Sequence, residues 1–505
     1  MEFFHLFGIS LNTFNENPWM LPVLGLVALC GVLDALVNGN LKRTSQKRSA
    51  EQIQAQNKLP DECWLSKKPE GVVIGKVKDG RYFRVPVDKH AIYNGFIVGG
   101  AGSAKTTTLL MCTELVNAVS DNPFTCLVVD PKREQYNTIP AENNLCLDPT
   151  DRSTWGWDPY FALNNMQLAS ADMQIEEFGR IARSLIPEGD PKSSFWVHNA
   201  QDMLIGLLAA YYGKLDFIDA INEVLTCNLQ DKIKELCEDA STSTVALKYL
   251  QKFVGKESEA MQDIETHLYT PLSIFSNSDV QYFFQSNPKK ATPLSIINEG
   301  KSLYLCVPEH KLFELGSIFR LIICQTLDQL TKRPIGSNPC FLMIDEAYAI
   351  GKIPSLLEKL SIARGYSVSI FLAFQGLAQL RELYGKDGAQ IIIDNCRIRC
   401  FLESSDLDTS SYVIKMAGTY RERKLSTTRG SKGSSTVSYQ NSNIFEESDL
   451  QKLVSKKREV VMTPTGTYQI RKNYWFRDRK IKHMQEELQK KYEERLLLER
   501  GGDAL

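Results

Sequence analysis

IVGGAGSAKTTTLL, residues 97–110, is the stretch whose reading decides the fold. A phosphate-binding loop reads Gly, four residues, Gly, Lys, Ser/Thr, between a strand and a helix. Gly99 holds the first position, Gly100, Ala101, Gly102 and Ser103 the next four, and Lys105 and Thr106 the last two. Ala104 stands where the second glycine belongs. Such a loop works because small residues let backbone N–H groups wrap phosphate oxygens while the helix N-terminus adds partial positive charge. The motif places Lys105 on the β- and γ-phosphates and Thr106 on Mg²⁺, with Thr107 completing the binding turn. ATP and Mg²⁺ are therefore the expected ligands. The Ala104 methyl is nearly free of cost in a right-handed conformation and costs about 1 kcal/mol or more at positive φ.

The flanks supply the required context. VDKHAIYNGFIVG reads as the preceding strand and TTTLLMCTELV as the following helix. Residues 71–98 alternate apolar and polar, as short strands do. FTCLVVD (124–130) is a compact apolar run ending in an acid, which predicts a buried parallel strand. Strand, glycine turn, helix and strand open a doubly wound α/β domain. From about 160 to 295 helical segments dominate, such as FWVHNAQDMLIGLLAAYYG (195–213). SLYLCV (302–307), CFLMIDE (340–346), VSIFLAF (368–374) and RCFLE (399–403) then resume the sheet. The expected organisation is a tail and transmembrane helix over 1–41, a polar linker over 42–70, an α/β domain in two parts over 71–160 and 296–476, an all-α insertion over 161–295, and a charged helix over 477–505. That last helix carries apolar spacing at Met484, Leu488, Tyr492 and Leu496.

Two further strand ends carry chemistry. CFLMIDE delivers Asp345 and Glu346 to the carboxyl edge of the sheet, where ligands bind in such folds. Asp345 suits Mg²⁺ through water, and Glu346 suits polarising an attacking water. Gln375 ends the next apolar strand, where it can sense a γ-phosphate or orient water. Arg364, Arg397 and Arg399 are the basic residues expected near that edge. In a ring of such ATPases one arginine reaches a neighbour's site, and Arg397, with Arg364 as the alternative, is the candidate.

The 505 residues carry a formal net charge of −1, so no global basic field points to nucleic acid and any such contact must be local. Residues 420–443 supply one local basic segment, rich in Ser, Thr and Gly and read as a mobile loop or long hairpin tip; Arg421, Arg423, Lys424, Arg429 and Lys432 are its DNA-contact candidates. The 12 cysteines form no CxxC pair and read as reduced thiols. Residues 19–37, WMLPVLGLVALCGVLDALV, nearly span a hydrocarbon core at roughly 1.5 Å per residue. Lys42, Arg43, Lys47 and Arg48 follow and no Lys or Arg precedes them, which predicts a single-pass anchor with the body in the cytoplasm.

Together these stretches resemble the type IV secretion coupling proteins, the membrane-tethered ATPases of bacterial conjugation and effector export. The resemblance rests on GVVIGKV (71–77), the phosphate loop, VVDPKREQY (128–136), LDPTDRSTWGWDPY (147–160), SSFWVHNAQDMLIGLL (193–208) and the run from Ile344 to Gly385. Ala104 and Arg133 each replace a usual glycine, Asp158 stands where Asn is typical, and one span appears where many members have two. The resemblance implies a RecA-like domain with an all-α insertion, assembled as a homo-hexamer at the bacterial inner membrane. It implies relaxase-bound single-stranded DNA or an effector protein as cargo, and the relaxase and secretion-channel components as partners. Two alternatives share the fold: a catalytically weak docking receptor for relaxase or effector, and a channel-assembly ATPase.

Overall fold

The computed structural model describes residues 50–87, 92–165, 170–189, 191–403, 406–428 and 434–502. Residues 19–37, Arg429 and Lys432 lie outside them; among the described residues no helix is long and apolar enough to cross a membrane. The strands are β1 (Leu65–Ser66), β2 (Val72–Lys76), β3 (Tyr82–Val85), β4 (Asn94–Val98), β5 (Thr125–Pro131), β6 (Asn144–Leu147), β7 (Gly156–Trp157), β8 (Lys290–Ala291), β9 (Ser302–Val307), β10 (Cys340–Ile344), β11 (Val368–Phe374), β12 (Cys396–Phe401), β13 (Thr419–Thr428), β14 (Ser434–Asn443), β15 (Arg458–Thr463) and β16 (Gly466–Lys472).

Twelve of these form one sheet in the order β1-β3-β2-β16-β15-β12-β4-β11-β10-β5-β9-β6. From β12 to β6 every pairing is parallel. From β12 outward through β15, β16, β2 and β3 to β1 every pairing is antiparallel. The parallel strands read as unbroken apolar runs because both faces are covered. Phe96, Val98, Leu127, Val129, Leu342, Ile344 and Leu372 join one cluster with Leu204, Leu208, Ile318 and Phe319 of the helices on that side. Their neighbours one residue along, Ile97, Val128, Phe341, Met343 and Phe371, join a second cluster with Leu109 and Leu110 of the phosphate-loop helix. The period of two is thus kept even where polarity does not mark it.

Between β7 and β8 the chain is helical, with long helices at Ala171–Leu185, Ser194–Tyr211 and Ser258–Leu272. The two short strands pair in parallel, Gly156 with Lys290 and Trp157 with Ala291, and so bring the two ends of the insertion together. Trp157 is buried there and its indole donates to Gln325 Oε1 at 2.8 Å. The terminal helix Arg479–Gly502 buries Ile481, and its Met484 and Leu488 pack with Cys112, Leu115 and Val116 on the phosphate-loop helix. The cysteines among the described residues are free thiols.

The stretch expected as a linker is partly built into the fold. Trp64 is buried, stacks on Phe83 with ring centroids 6.4 Å apart, and donates to Thr465 Oγ1 at 2.9 Å. Gln56 donates to Ile444 O at 2.7 Å and Asp449 Oδ2 at 2.9 Å. A Lys/Gln-rich composition hides this, because a single tryptophan and backbone pairing of β1 do the anchoring. The hairpin β13–β14, from Tyr420 to Ser442, belongs with the described residues up to Ala55 to a separate compact unit. Within the hairpin the Arg421 guanidinium lies 4.4 Å from the ring centre of Tyr439.

Gly95 sits opposite Phe371 in the β4–β11 pairing, and a Cβ there would lie 2.3 Å from the Phe371 ring. Gly95→Ala is expected to overpack the centre of the sheet and cost about 1–3 kcal/mol. Thermal unfolding of Gly95→Ala, alone and with Phe371→Leu, checks this: the second change should recover part of the loss.

Candidate active site

β4 lies beside β11, and β11 beside β10, so the carboxyl ends of these three strands meet. The first delivers the phosphate loop, the second Gln375 and the third Asp345 and Glu346. The Gly99 N–H donates to Phe374 O at 3.1 Å, tying the start of the loop to β11. The Ser103 N–H donates to Gly100 O at 3.1 Å and closes the turn. Gly102 and Ala104 both take left-handed conformations, with φ of 76° and 72°. The alanine therefore bears the positive-φ penalty that a glycine would escape. Ala104 O then accepts from Thr108 N at 3.0 Å, Thr108 Oγ1 at 2.7 Å and Thr107 Oγ1 at 3.4 Å. The helix opens as a wide π-turn over Thr106–Leu110 before becoming regular at Met111–Ala118, an irregularity common at functional sites.

The side chains converge. Thr106 Oγ1 donates to Asp345 Oδ2 at 2.6 Å. Lys105 Nζ donates to Gly99 O at 2.8 Å and meets Glu346 Oε1 at 3.2 Å. Gln375 Nε2 donates to Glu346 Oε2 at 3.3 Å. Glu346 itself is left-handed at φ 58°, backbone strain of the kind stored at functional sites. Burial pushes the Asp345 carboxyl above its ordinary range, against the pull of the Lys105 charge and the Thr106 hydrogen bond. Asp345 Oδ1 and Ser103 Oγ are buried without a hydrogen-bond partner. A buried carboxylate oxygen and a hydroxyl left open beside a helix N-terminus fit a hydrated divalent cation and a phosphate.

The remaining candidates lie elsewhere. Arg364 precedes β11 and Arg397 is the second residue of β12, so both sit at the amino edge of the parallel strands and are exposed. They are not brought to this chain's own Lys105 and Glu346. Arg364 lies over the Tyr93 ring at 5.7 Å. Arg399 is tied down by Ile393 O, Cys396 O and the Tyr412 hydroxyl at 3.1, 2.9 and 2.8 Å. Arg421 and Arg423 are exposed on the hairpin. Lys424 lies on β13, where its side chain falls outside the described residues.

Two further groups flank the site without a motif that marks them as part of it. Asp130, the next-to-last residue of β5, beside β10, accepts from Glu134 N at 3.1 Å and Tyr136 N at 2.9 Å. Its position as the acid closing an apolar strand was the available signal. Lys472 ends β16 and donates to Ser103 O at 2.7 Å. No local pattern marks it, because the contact joins residues 369 apart in sequence.

The chain belongs to the type IV secretory system conjugative DNA transfer family, whose model matches residues 41–497. It is 21% identical to protein VirD4 of Rhizobium radiobacter over 434 residues, covering 83% of this chain and 58% of that one. It is 22% identical to the type IV secretion system-coupling protein VirD4 of Bartonella henselae, covering 68% and 56%. The chain thus spans less than two thirds of the length of these curated relatives. Among solved structures, the bacterial conjugative coupling protein TrwBdeltaN70 in its sulphate-bound trigonal form matches with a TM-score of 0.63 at 16% identity, covering 81% of this chain and 90% of that one. That likeness is one of fold.

Burial pushes the Asp130 carboxyl up to about 6, against hydrogen bonds from Tyr136 and Gln135 that pull it down. A carboxyl raised above its unfolded value holds its proton more tightly in the folded protein. Its contribution to stability is full below about pH 4 and is lost as pH rises through 6. From 3.8 to about 6 the loss is about 3 kcal/mol. Asp130→Asn is expected to flatten the fall in stability between pH 4 and 6.5, measured by urea unfolding across that range.

Proposed function

We propose that this family member is a P-loop ATPase that binds ATP with Mg²⁺ and uses hydrolysis to recruit and drive relaxase-bound DNA, or an effector protein, to a secretion channel. The hydrogen bond from Thr106 to Asp345 carries the reading, because it puts the helix start and the acid strand at one point. Solved TrwB structures include complexes with a non-hydrolysable ATP analogue and with ADP and Mg²⁺, which supports the same ligands here.

Residues 99–107 would cradle the phosphates, with Lys105 exchanging Gly99 O and Glu346 for the β- and γ-oxygens. Thr106 and, through water, Asp345 would hold Mg²⁺, which supplies charge neutralisation on the phosphates. Glu346 would accept a proton from the attacking water, and Gln375, bonded to Glu346, would orient it. Arg397, or Arg364, would serve a neighbouring subunit in a homo-hexamer; both are exposed on the amino edge. Residues 19–37 would anchor the protein in the bacterial inner membrane with its body in the cytoplasm, where relaxase and channel components meet it. On the hairpin, Arg421, Arg423, Lys424, Arg429 and Lys432 would meet DNA phosphates, and the stacked Tyr439 adds a face for a base.

The tests are ATP turnover and nucleotide binding by the purified protein, with and without single-stranded DNA. Lys105→Ala is expected to weaken binding and abolish turnover. Glu346→Gln should keep binding and slow turnover on the order of 10²-fold or more. Undiminished hydrolysis in both variants would end the reading. A second reading, a docking receptor that keeps the fold without hydrolysis, is favoured by one observation, the left-handed Ala104. Ala104→Gly is expected to tighten nucleotide binding up to about fivefold, corresponding to about 1 kcal/mol. Binding seen only in that variant would instead support the receptor.

A further inference from the structure

Lys472 is the last residue of β16 and is only 6% exposed. Its ammonium donates to the Ser103 carbonyl inside the phosphate loop, a contact from the carboxyl-terminal hairpin across to the loop. Two acids accompany it. Glu459 on β15 pairs with Ile470, so it shares a face with Lys472 two residues further on. Glu459 is fully buried and neither of its oxygens has a hydrogen-bond partner. Gly75 on β2, opposite Lys472, makes the room: a Cβ there would lie 2.7 Å from Glu459 Oε1. Burial pushes Lys472 down and Glu459 up to about 8, while Glu459 and Glu403 draw Lys472 back toward its charged form. The nucleotide chemistry described above uses none of these three groups.

The contact has a geometric consequence. In a trans peptide the C=O and the following N–H point in opposite directions. Drawing the Ser103 carbonyl toward β16 therefore turns the Ala104 N–H away from β16. Among the described residues that N–H has no acceptor within the chain. It is left for a phosphate oxygen. Alanine at φ 72° would relax toward a right-handed conformation and rotate this peptide if nothing held it. A buried charge-assisted hydrogen bond is strong enough to hold it.

We infer that Lys472 is a positioning residue for the phosphate loop, anchoring the Ser103–Ala104 peptide so that its N–H faces the phosphates in a chain that lacks glycine at 104. The inference rests on the nucleotide reading above. In the full-length protein, with Mg²⁺ and a fluorescent ATP analogue as the probe, Lys472→Met is expected to raise the dissociation constant and the ATP KM at least tenfold. Its kcat at saturation should stay within about threefold, since Lys472 does not touch the reacting atoms. Lys472→Arg should recover most of the affinity. Ala104→Gly should improve binding more in the Lys472→Met background than in the wild type, because a glycine no longer needs the anchor.

If Lys472→Met fails to fold, Lys472→Met/Glu459→Met removes both charges and is measured in its place. Affinity within twofold of wild type in either folded variant overturns the inference, and so does an Ala104→Gly effect equal in both backgrounds. Wild-type protein that binds no nucleotide overturns the ATPase reading and the inference together. Wild-type binding with an unaffected Lys472→Met overturns the inference alone.

Discussion

The hydrogen bond between Thr106 and Asp345 depends on the sheet more than on either residue. The two follow strands β4 and β10, which are separated by β11, so those strands are about two strand spacings, or ~10 Å, apart. Closing that gap requires the phosphate loop to fold back over the end of β11 before the helix begins. The Gly99 N–H on Phe374 O starts that return, and the left-handed turns at Gly102 and Ala104 complete it. The same strand then offers Gln375 to Glu346 from between the two partners. A sheet with both faces packed is stiff enough to keep such spacing and to hold Glu346 in its strained conformation.

The charges around this point are unevenly distributed. Asp130, Asp345 and Glu114 are all buried near the phosphate-loop helix, and burial raises the pKa of each. Asp130 and Asp345 raise each other's neighbours further: Asp345 acts on Asp130, and both act on Glu114. Against them stand the buried Lys105, already shared between a carbonyl and Glu346, and Lys472, committed to the Ser103 carbonyl. A site so short of positive charge is poised to gain from a divalent cation, and the open Asp345 Oδ1 is where that gain would fall. The near-zero net charge of the whole chain says nothing of this local imbalance.

Much of the parallel sheet was legible because its strands are short apolar runs that end in functional residues. The loop, CFLMIDE and the strand before Gln375 announce themselves in that way, and their adjacency follows from the fold they imply. The antiparallel edge was far less legible. β15 and β16 mix polar and apolar residues, and Glu459 and Lys472 read as ordinary surface charges until the register places them on one buried face. Trp64 hid within a polar stretch for the opposite reason, since one large side chain hardly moves a composition. The backbone conformation of Ala104 could be posed as a question from the sequence but not answered, because φ depends on what holds the neighbouring peptide. That Arg364 and Arg397 sit at the amino edge was legible, because both precede the apolar runs VSIFLAF and RCFLE of a parallel sheet.

The two positions where a glycine was expected and a side chain stands share one physical solution. Ala104 and Arg133 are both left-handed, at φ 72° and 58°. Beside each strained residue lies a charged contact. At Ala104 it is Lys472 on the preceding carbonyl at 2.7 Å. At Arg133 it is the residue's own guanidinium on Asp151 at 2.8 Å, while the Asp130 carboxylate fixes the following turn through Glu134 N and Tyr136 N. A glycine reaches such a conformation through freedom and must then be ordered, at an entropic cost. A side-chain-bearing residue reaches it only under constraint, but once constrained it has fewer alternatives to lose. The chain has exchanged a flexible solution for an anchored one after two strands of the same sheet, β4 and β5, and the anchors come from parts of the chain that a local motif cannot see.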